Sequence, residues 1–321
     1  MSRSPLTVQT ILCPTDFSVF SSRAFRHAVA LAQQLGARLE VVHVTPSLRR
    51  YAGDTLLPNA VAELIPAMRR EAEADARRFV EPAVEARVPV EIEIRDGEPW
   101  REILSLAQRR PADLVVLGTH GRSGFERFVL GSVTEKLLRL LPCPVMTVCH
   151  EEGRTWEAPS LVRRILCATD LGESSGETIA FAAGLATRYG APLTLLHVVE
   201  ELPGTAGSIY IPGVGPLRQE LERAAGERLQ ELSQELGAEV DVEQRLASGR
   251  PYRAILEAAT RESADLIVLG PSRHGLGRFL VGSDVHHVIR EATCPVLVAR
   301  PTPAREPTVA SERAVVLKAG A

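Results

Sequence analysis

Two groups of small and polar residues in this 321-residue chain have the types and spacing to do chemistry. Pro14-Thr15-Asp16 closes a short apolar run, and Gly118, Gly121, Gly131 and Ser132 mark a loop of the form Gly-x2-Gly-x9-Gly-Ser. Glycines at 118 and 121 let backbone N–H groups turn toward an anion with no side chain in the way. Gly131 and Ser132 open a helical pattern, where uncommitted amides and the helix dipole favour phosphate. Asp16, at a strand tip, can accept hydrogen bonds from ribose hydroxyls, as acidic residues do in other nucleotide folds. Arg122 beside the loop could neutralise phosphate charge, although a solvated face explains it equally well. Plainer readings exist for each residue: Ser132-Val-Thr-Glu135 is a capping box, and Asp16 fits a cap on the following helix. Their convergence on one crevice favours a ligand site.

The elements that would position these residues occur twice. Ile11-Leu-Cys-Pro-Thr-Asp16 returns as Ile165-Leu-Cys-Ala-Thr-Asp170, and Ala112-Asp-Leu-Val-Val-Leu-Gly118 returns as Ala264-Asp-Leu-Ile-Val-Leu-Gly270. Phe128-Val-Leu-Gly-Ser132 returns as Phe279-Leu-Val-Gly-Ser283, and Cys143-Pro-Val145 as Cys294-Pro-Val296. Collinear matches at a nearly constant offset mean a tandem duplication, each copy of the usual size for an independent core. The expected organisation is a domain over 1–150, a linker over 151–160, a second domain over 161–301 and a tail over 302–321 that is mobile or loosely packed.

Within the first copy, strand and helix patterns alternate. Thr10–Cys13, Leu39–Val44, Val88–Ile94, Leu114–Leu117 and Val145–Val148 read as strands. Helices are expected from Ser18 to a stop at Gly36, over residues 60–85, from Pro99 to Arg109, and from Gly131-Ser132 onward. The order βαβαβαβαβ implies a parallel sheet with helices on both faces. In such a sheet ligands bind beyond the carboxyl ends of the strands, where the strand order reverses, here between the first and fourth. The loops leaving those two strands are the ones that carry Asp16 and the glycines.

Composition narrows the function classes. Thirty-seven basic against 40 acidic residues, interspersed, give a net charge of −3 and argue against a nucleic-acid surface. The opening MSRSPLTVQT contains no apolar signal core, and no apolar run approaches the ~20 residues that span a bilayer. A cytoplasmic location without a membrane partner is the expectation. The five cysteines form no CxxC pair or metal spacing, and Cys13 and Cys167 read as small buried hydrophobes. His286 and His287 are adjacent, so they cannot share a helix face as metal ligands would.

The glycine loop, taken with Pro14-Thr15-Asp16, the strand end His43-Val44 and the Cys143-Pro144-Val145 approach to the last strand, resembles the universal stress protein family over nearly the whole chain. The resemblance implies an α/β fold of two tandem doubly wound domains, each a five-stranded parallel sheet of order 3-2-1-4-5. It implies their packing as an internal pseudo-dimer through Val145–Val148 and Val296–Val298. It points to the ATP-binding branch, with Asp16 at the ribose, Pro14 and Thr15 beside it in the binding motif, the Val44 backbone at the adenine, and Gly118, Gly121, Gly131 and Ser132 at the phosphates. The implied cofactor is ATP, with or without Mg²⁺, sensed by a stress-response or regulatory protein rather than consumed.

In the second copy Asp170, Val198, Gly270, Gly282 and Ser283 match the same pattern. Its loop is one residue shorter, Ser272 or Arg273 replaces the second glycine, Pro271 removes an amide donor, and His286 stands in place of Glu135. Nucleotide is therefore expected in the first copy ahead of the second. An insertion over Gly204–Pro216, with Ile209, Tyr210 and Ile211, fits either a lid or a contact surface.

Two other readings stand beside this one. A slow ATPase or ATP-dependent enzyme is compatible with a bound nucleotide, but the chain lacks the Gly-x4-Gly-Lys-Ser/Thr loop and the kinase motifs. His120 is the one acid/base candidate in the first loop, and a solvated histidine explains it better. A ligand-free interaction protein, a homodimer or an unidentified protein partner also fits the pattern, although the intact first loop speaks against the absence of a ligand.

Overall fold

Strand β1 (Thr10–Thr15) is buried along its whole length, which is what an apolar run in the middle of a parallel sheet requires. The computed structural model describes residues 7–45, 58–120, 130–149, 162–172, 175–200, 214–237, 240–271, 282–300 and 315–319. It divides into a first unit, Thr7–His150 with Thr302–Ala321, and a second unit, Met1–Leu6 with Glu151–Pro301.

In the first unit β1 leads to helix α1 (Val19–Leu35) and β2 (Arg38–Thr45). Helices α2 (Pro58–Phe79) and α3 (Glu81–Glu85), then β3 (Val90–Asp96), α4 (Pro99–Arg109), β4 (Leu114–Gly118), α5 (Ser132–Leu140) and β5 (Val145–Val148), complete the repeat. The strand order is β3-β2-β1-β4-β5, all parallel, as the pattern of alternating elements implies. Gly36 ends α1 in the left-handed region at φ 68°, the conformation for which glycine is selected at a helix stop.

The second unit repeats this with β6 (Ile165–Ala168), α6 (Ser175–Tyr189), β7 (Leu193–Glu200), α7 (Val214–Leu236), β8 (Val242–Gly249), α8 (Pro251–Arg261), β9 (Leu266–Leu269), α9 (Ser283–Glu291) and β10 (Val296–Val298). Its order is β8-β7-β6-β9-β10, again parallel. The chain is thus two doubly wound α/β domains in tandem.

The repeated Ala-Asp-Leu motif has a structural task. Asp113 Oδ2 accepts the amides of Gln9 at 2.8 Å and Thr10 at 2.9 Å, tying the start of β4 to the start of β1. Asp265 Oδ2 does the same to Arg163 and Arg164 in the second unit, at 3.0 and 3.1 Å.

Two features differ from the sequence expectations. The single helix expected over residues 60–85 is broken at Val80, where the amide of Ala83 turns back to the Val80 carbonyl at 2.9 Å. Pro82 lacks the N–H that a continuous helix needs at that point, and its ring clashes with the carbonyl four residues back. The second difference lies in the tail. Val315–Ala319 forms strand β11, antiparallel to β3, with Leu317 opposite Ile92 and Lys318 opposite Glu91. The first unit's sheet is therefore six-stranded and mixed.

On the face of β3 toward α4 lies a buried charged network. Arg95 Nε donates to Glu93 Oε1 at 2.6 Å and Nη1 to Glu102 Oε2 at 3.0 Å, while Arg110 Nη1 lies 3.2 Å from Glu93 Oε2. The linker and most of the Gly204–Pro216 insertion, including Ile209, Tyr210 and Ile211, lie outside the described residues. Among those described, no helix is long and apolar enough to cross a membrane.

Candidate functional site

The parallel register sets Ile11 against Leu114 and Leu12 against Val115, which carries the end of β1 to the level of Gly118 at the end of β4. On its other side β1 pairs with β2, Thr15 against His43. The strand ends that bear Thr15, Asp16, His43, Val44 and Gly118 are thereby gathered at one crevice, where the strand order reverses.

The turn after β1 is tightly determined. Phe17 has φ 60°, a left-handed conformation uncommon for a bulky residue. Its amide donates to Thr15 Oγ1 at 2.9 Å, and the amide of Ser18 donates to Asp16 Oδ1 at 3.0 Å. Ser18, not Asp16, is the N-cap of α1, its hydroxyl accepting from the Ser21 amide at 3.2 Å. Asp16 is half-buried at the turn. The Phe17 ring stacks on His43 with centroids 4.2 Å apart and meets Phe79 edge-on at 5.5 Å. His43 Nδ1 donates to the Thr15 carbonyl at 2.8 Å, which fixes the proton on that nitrogen.

Val44 gains its position from the end of the β1 ladder. The bond from the Arg38 amide to the Gln9 carbonyl shows that even-numbered residues of β2 direct their backbone groups toward β1. The next N–H able to meet the Val44 carbonyl belongs to Phe17, and it is turned to Thr15 Oγ1 instead. Among the described residues, the β1 ladder therefore ends short of the Val44 carbonyl.

At the other wall, Gly118 is needed for close approach. A Cβ there would lie 3.1 Å from both the carbonyl carbon and oxygen of Phe20. Thr134 Oγ1 donates to the Gly118 carbonyl at 2.9 Å, bringing the start of α5 against the end of β4. The amide of Gly131 donates to the Thr119 carbonyl at 2.9 Å and is therefore committed, which corrects the sequence reading of that amide as an anion donor. Gly131 is the N-cap of α5, with no side-chain cap bond, and Ser132 is the exposed first helical residue. The capping-box reading of Ser132 does not hold. The amides of Ser132, Val133 and Thr134 lie in the helix's first turn, where no intrahelical acceptor exists. Gly121 and Arg122 lie outside the described residues. His120 is half-buried, with Nδ1 3.0 Å from Thr119 Oγ1 and its ring 5.5 Å from Phe20, rather than freely solvated.

The second unit reproduces the frame with different fittings. His197 Nδ1 donates to the Thr169 carbonyl at 2.8 Å, and Leu171, at φ 56°, takes the place of Phe17 without an aromatic ring. Asp170 is exposed, and its Oδ1 accepts both the Ser175 hydroxyl at 2.6 Å and the Gly172 amide at 2.9 Å. Val198 is more exposed than Val44. A Cβ on Gly270 would meet Thr178 Oγ1 at 2.8 Å, so this glycine also serves helix–strand contact. Gly282 caps α9 without a side-chain bond, and Ser283 begins that helix.

None of the five cysteines is in a disulfide, and burial pushes Cys13 and Cys167 up to about 12, far from a reactive thiolate. Among the described residues no group of three His, Cys, Asp or Glu is placed to hold a metal ion.

Fold and crevice together define a tandem doubly wound α/β protein with its candidate site at the topological switch point. The family model described as universal stress protein family matches residues 7–148 and 162–300, so the chain belongs to the universal stress protein family. A universal stress protein of Mycobacterium tuberculosis is 32% identical over 239 residues, covering 72% of this chain and 76% of that relative. Another from Methanocaldococcus jannaschii is 34% identical over 139 residues, 43% of this chain and 80% of the relative. The crystal structure of a universal stress protein from Archaeoglobus fulgidus covers 93% of this chain and 98% of its own, with a TM-score of 0.65 at 24% identity, a likeness of fold.

Proposed function

We propose that the first unit binds an adenine nucleotide, ATP, with or without Mg²⁺, and that the protein is a cytoplasmic stress-response or regulatory protein that senses this ligand rather than consuming it. The observation that carries the reading is the left-handed Phe17 turn. It costs roughly 1–3 kcal/mol of backbone strain and is held by the Thr15 hydroxyl, the Asp16 carboxylate and the His43 ring. Its effect is to set Asp16 at the strand tip and leave the Val44 carbonyl outside the ladder, hydrogen-bonding groups suited to ribose and adenine. The first-turn amides of α5, including that of Ser132, suit the phosphates. His120 is engaged by Thr119 and Phe20, which does not favour it as a general base.

In the second unit the Ser175 hydroxyl is a further donor to Asp170, beyond the turn amide that both copies share, so nucleotide binds there more weakly. Calorimetric titration with ATP, paired with mass spectrometry of the denatured purified protein, tests the reading. Asp16→Ala is expected to weaken binding at least about tenfold, the worth of one charge-assisted hydrogen bond, and Asp170→Ala to change it little. No co-purified nucleotide together with no binding of ATP, ADP or AMP would sink the proposal.

A further inference from the structure

Strand β8 closes one edge of the second unit's sheet, and the duplication supplies a direct comparison for that edge. Its counterpart β3 is covered by the antiparallel strand β11, whereas β8 is the outermost strand among the described residues. The two edges present their backbones identically. The Leu39 amide bonds the Pro89 carbonyl at 2.8 Å, so odd-numbered residues of β3 face β2, and Val90, Ile92 and Ile94 face outward to β11. The Leu193 amide bonds the Asp241 carbonyl at 2.8 Å, so Val242, Gln244 and Leu246 likewise direct their N–H and C=O groups outward. Side-chain burial then separates the copies: Ile94 is 3% exposed, while Leu246, at the matching position, is 41% exposed.

The sequence of β8 complements itself. Two copies paired antiparallel about Gln244 set Gln244 opposite Gln244, Val242 opposite Leu246 and Glu243 opposite Arg245. The outward-facing even-numbered residues are those that fall at the hydrogen-bonded pairs of such a ladder, so backbone direction and register agree. Glu243 and Arg245 fall at the non-hydrogen-bonded pair, where facing side chains come closest and opposite charge stabilises the ladder. Both are well exposed, at 58% and 48% of their side-chain surface, and pair with each other at 2.9 Å within the strand, Arg245 also with Glu262 at 3.2 Å, so the ladder would extend an existing charge cluster across the two copies; Val242 and Leu246 share the opposite face. In the covered edge the register likewise sets a lysine position, Lys318 of β11, opposite Glu91, the residue in β3 that corresponds to Glu243. Alternating charge on an edge strand ordinarily discourages pairing, but among the symmetric registers the backbone allows, the one centred on Gln244 sets Glu243 opposite Arg245 and converts it to attraction.

We propose that β8 is a homodimerisation edge, on which a second copy of this chain docks its own β8 antiparallel about Gln244. This surface is separate from the nucleotide crevice and does not depend on it. The test is analytical ultracentrifugation of the full chain across micromolar concentrations, with circular dichroism to confirm folding. Wild-type chain is expected to self-associate reversibly. Glu243→Arg and Arg245→Glu, each placing like charges opposite one another, are expected to weaken association about tenfold or more. An equimolar mixture of these two variants, and the double variant carrying both, should regain it, because each restores opposite charges across the ladder. Gln244→Pro should abolish it. A wild-type chain that stays monomeric overturns the proposal, as does association that the single charge reversals leave unchanged or that removal of residues 315–321 abolishes.

Discussion

The imidazole of His43 lies against the ring of Phe17, 4.2 Å between centroids and 26° from parallel, so a residue on β2 holds a strained residue of the β1–α1 turn in place. The contact links the two strand ends on which the nucleotide reading depends. Phe17→Ala keeps the left-handed strain and loses the stack. Denaturant unfolding is expected to show a loss of about 1–2 kcal/mol, part of the worth of fully burying a large apolar side chain, because Phe17 is half-buried. ATP affinity should fall with it, since Asp16 is ordered by the same turn.

Gly118 and Gly270 occupy matching positions but differ in what a side chain would strike. Gly118→Ala drives a Cβ onto the backbone of Phe20 at 3.1 Å and is expected to cost about 1–3 kcal/mol, as overpacking does. Among the described residues, Gly270→Ala meets the Thr178 side chain, its hydroxyl at 2.8 Å, and pairing it with Thr178→Ala recreates the first unit's Ala24 and should be near neutral. Thermal unfolding of the three variants separates these outcomes.

His27 makes the first unit acid-sensitive. Burial lowers it from 6.5 to about 4, so between those values the unfolded chain holds the extra proton. Stability contributed by the neutral ring is present above pH 6.5 and is lost as pH falls toward 4, on the order of 3 kcal/mol in full. His27→Phe, which copies Phe181 of the second unit, should flatten that part of the pH–stability profile.

Arg95 neutralises a carboxylate, Glu93, that is 4% exposed. Arg95→Ala leaves that buried charge with only the part-exposed Arg110 beside it and is expected to cost up to about 3–5 kcal/mol, whereas Arg95→Met with Glu93→Gln should recover most of the loss. Urea titration of the single and double variants checks the difference.

Removal of residues 315–321 uncovers β3. At roughly 0.2–1 kcal/mol for each cross-strand pair, the first unit should lose a few kcal/mol. Light scattering should show faster aggregation, the usual behaviour of an opened edge.

The duplicated motifs made the two-copy α/β fold legible, because collinear repetition needs no knowledge of packing. The Gly36 helix stop and the Pro99 helix start were legible from local backbone chemistry alone. Strand β11 was not, since the five residues Val315–Ala319 show a strand's composition but nothing about which edge they will meet. The crevice was legible as a set of residues and less so as a set of bonds. Sequence marks Gly131 and Ser132 as a helix start, yet which amides stay available depends on the Thr119 carbonyl reaching Gly131. Phe17 escaped notice because a left-handed phenylalanine has no composition signal. Its trace was the spacing from Thr15 to His43, visible only once β1 and β2 are paired.

Because β11 joins β3 across the whole intervening length of the second unit, the first unit is discontinuous along the chain. During synthesis on the ribosome its other strands emerge well before the one that seals their edge. For that interval β3 stands open to any passing strand. A nascent chain stalled anywhere in the second half, or a chain nicked there by a protease, carries a first unit whose sheet has lost its guard, so quality control can read damage in one half through the other.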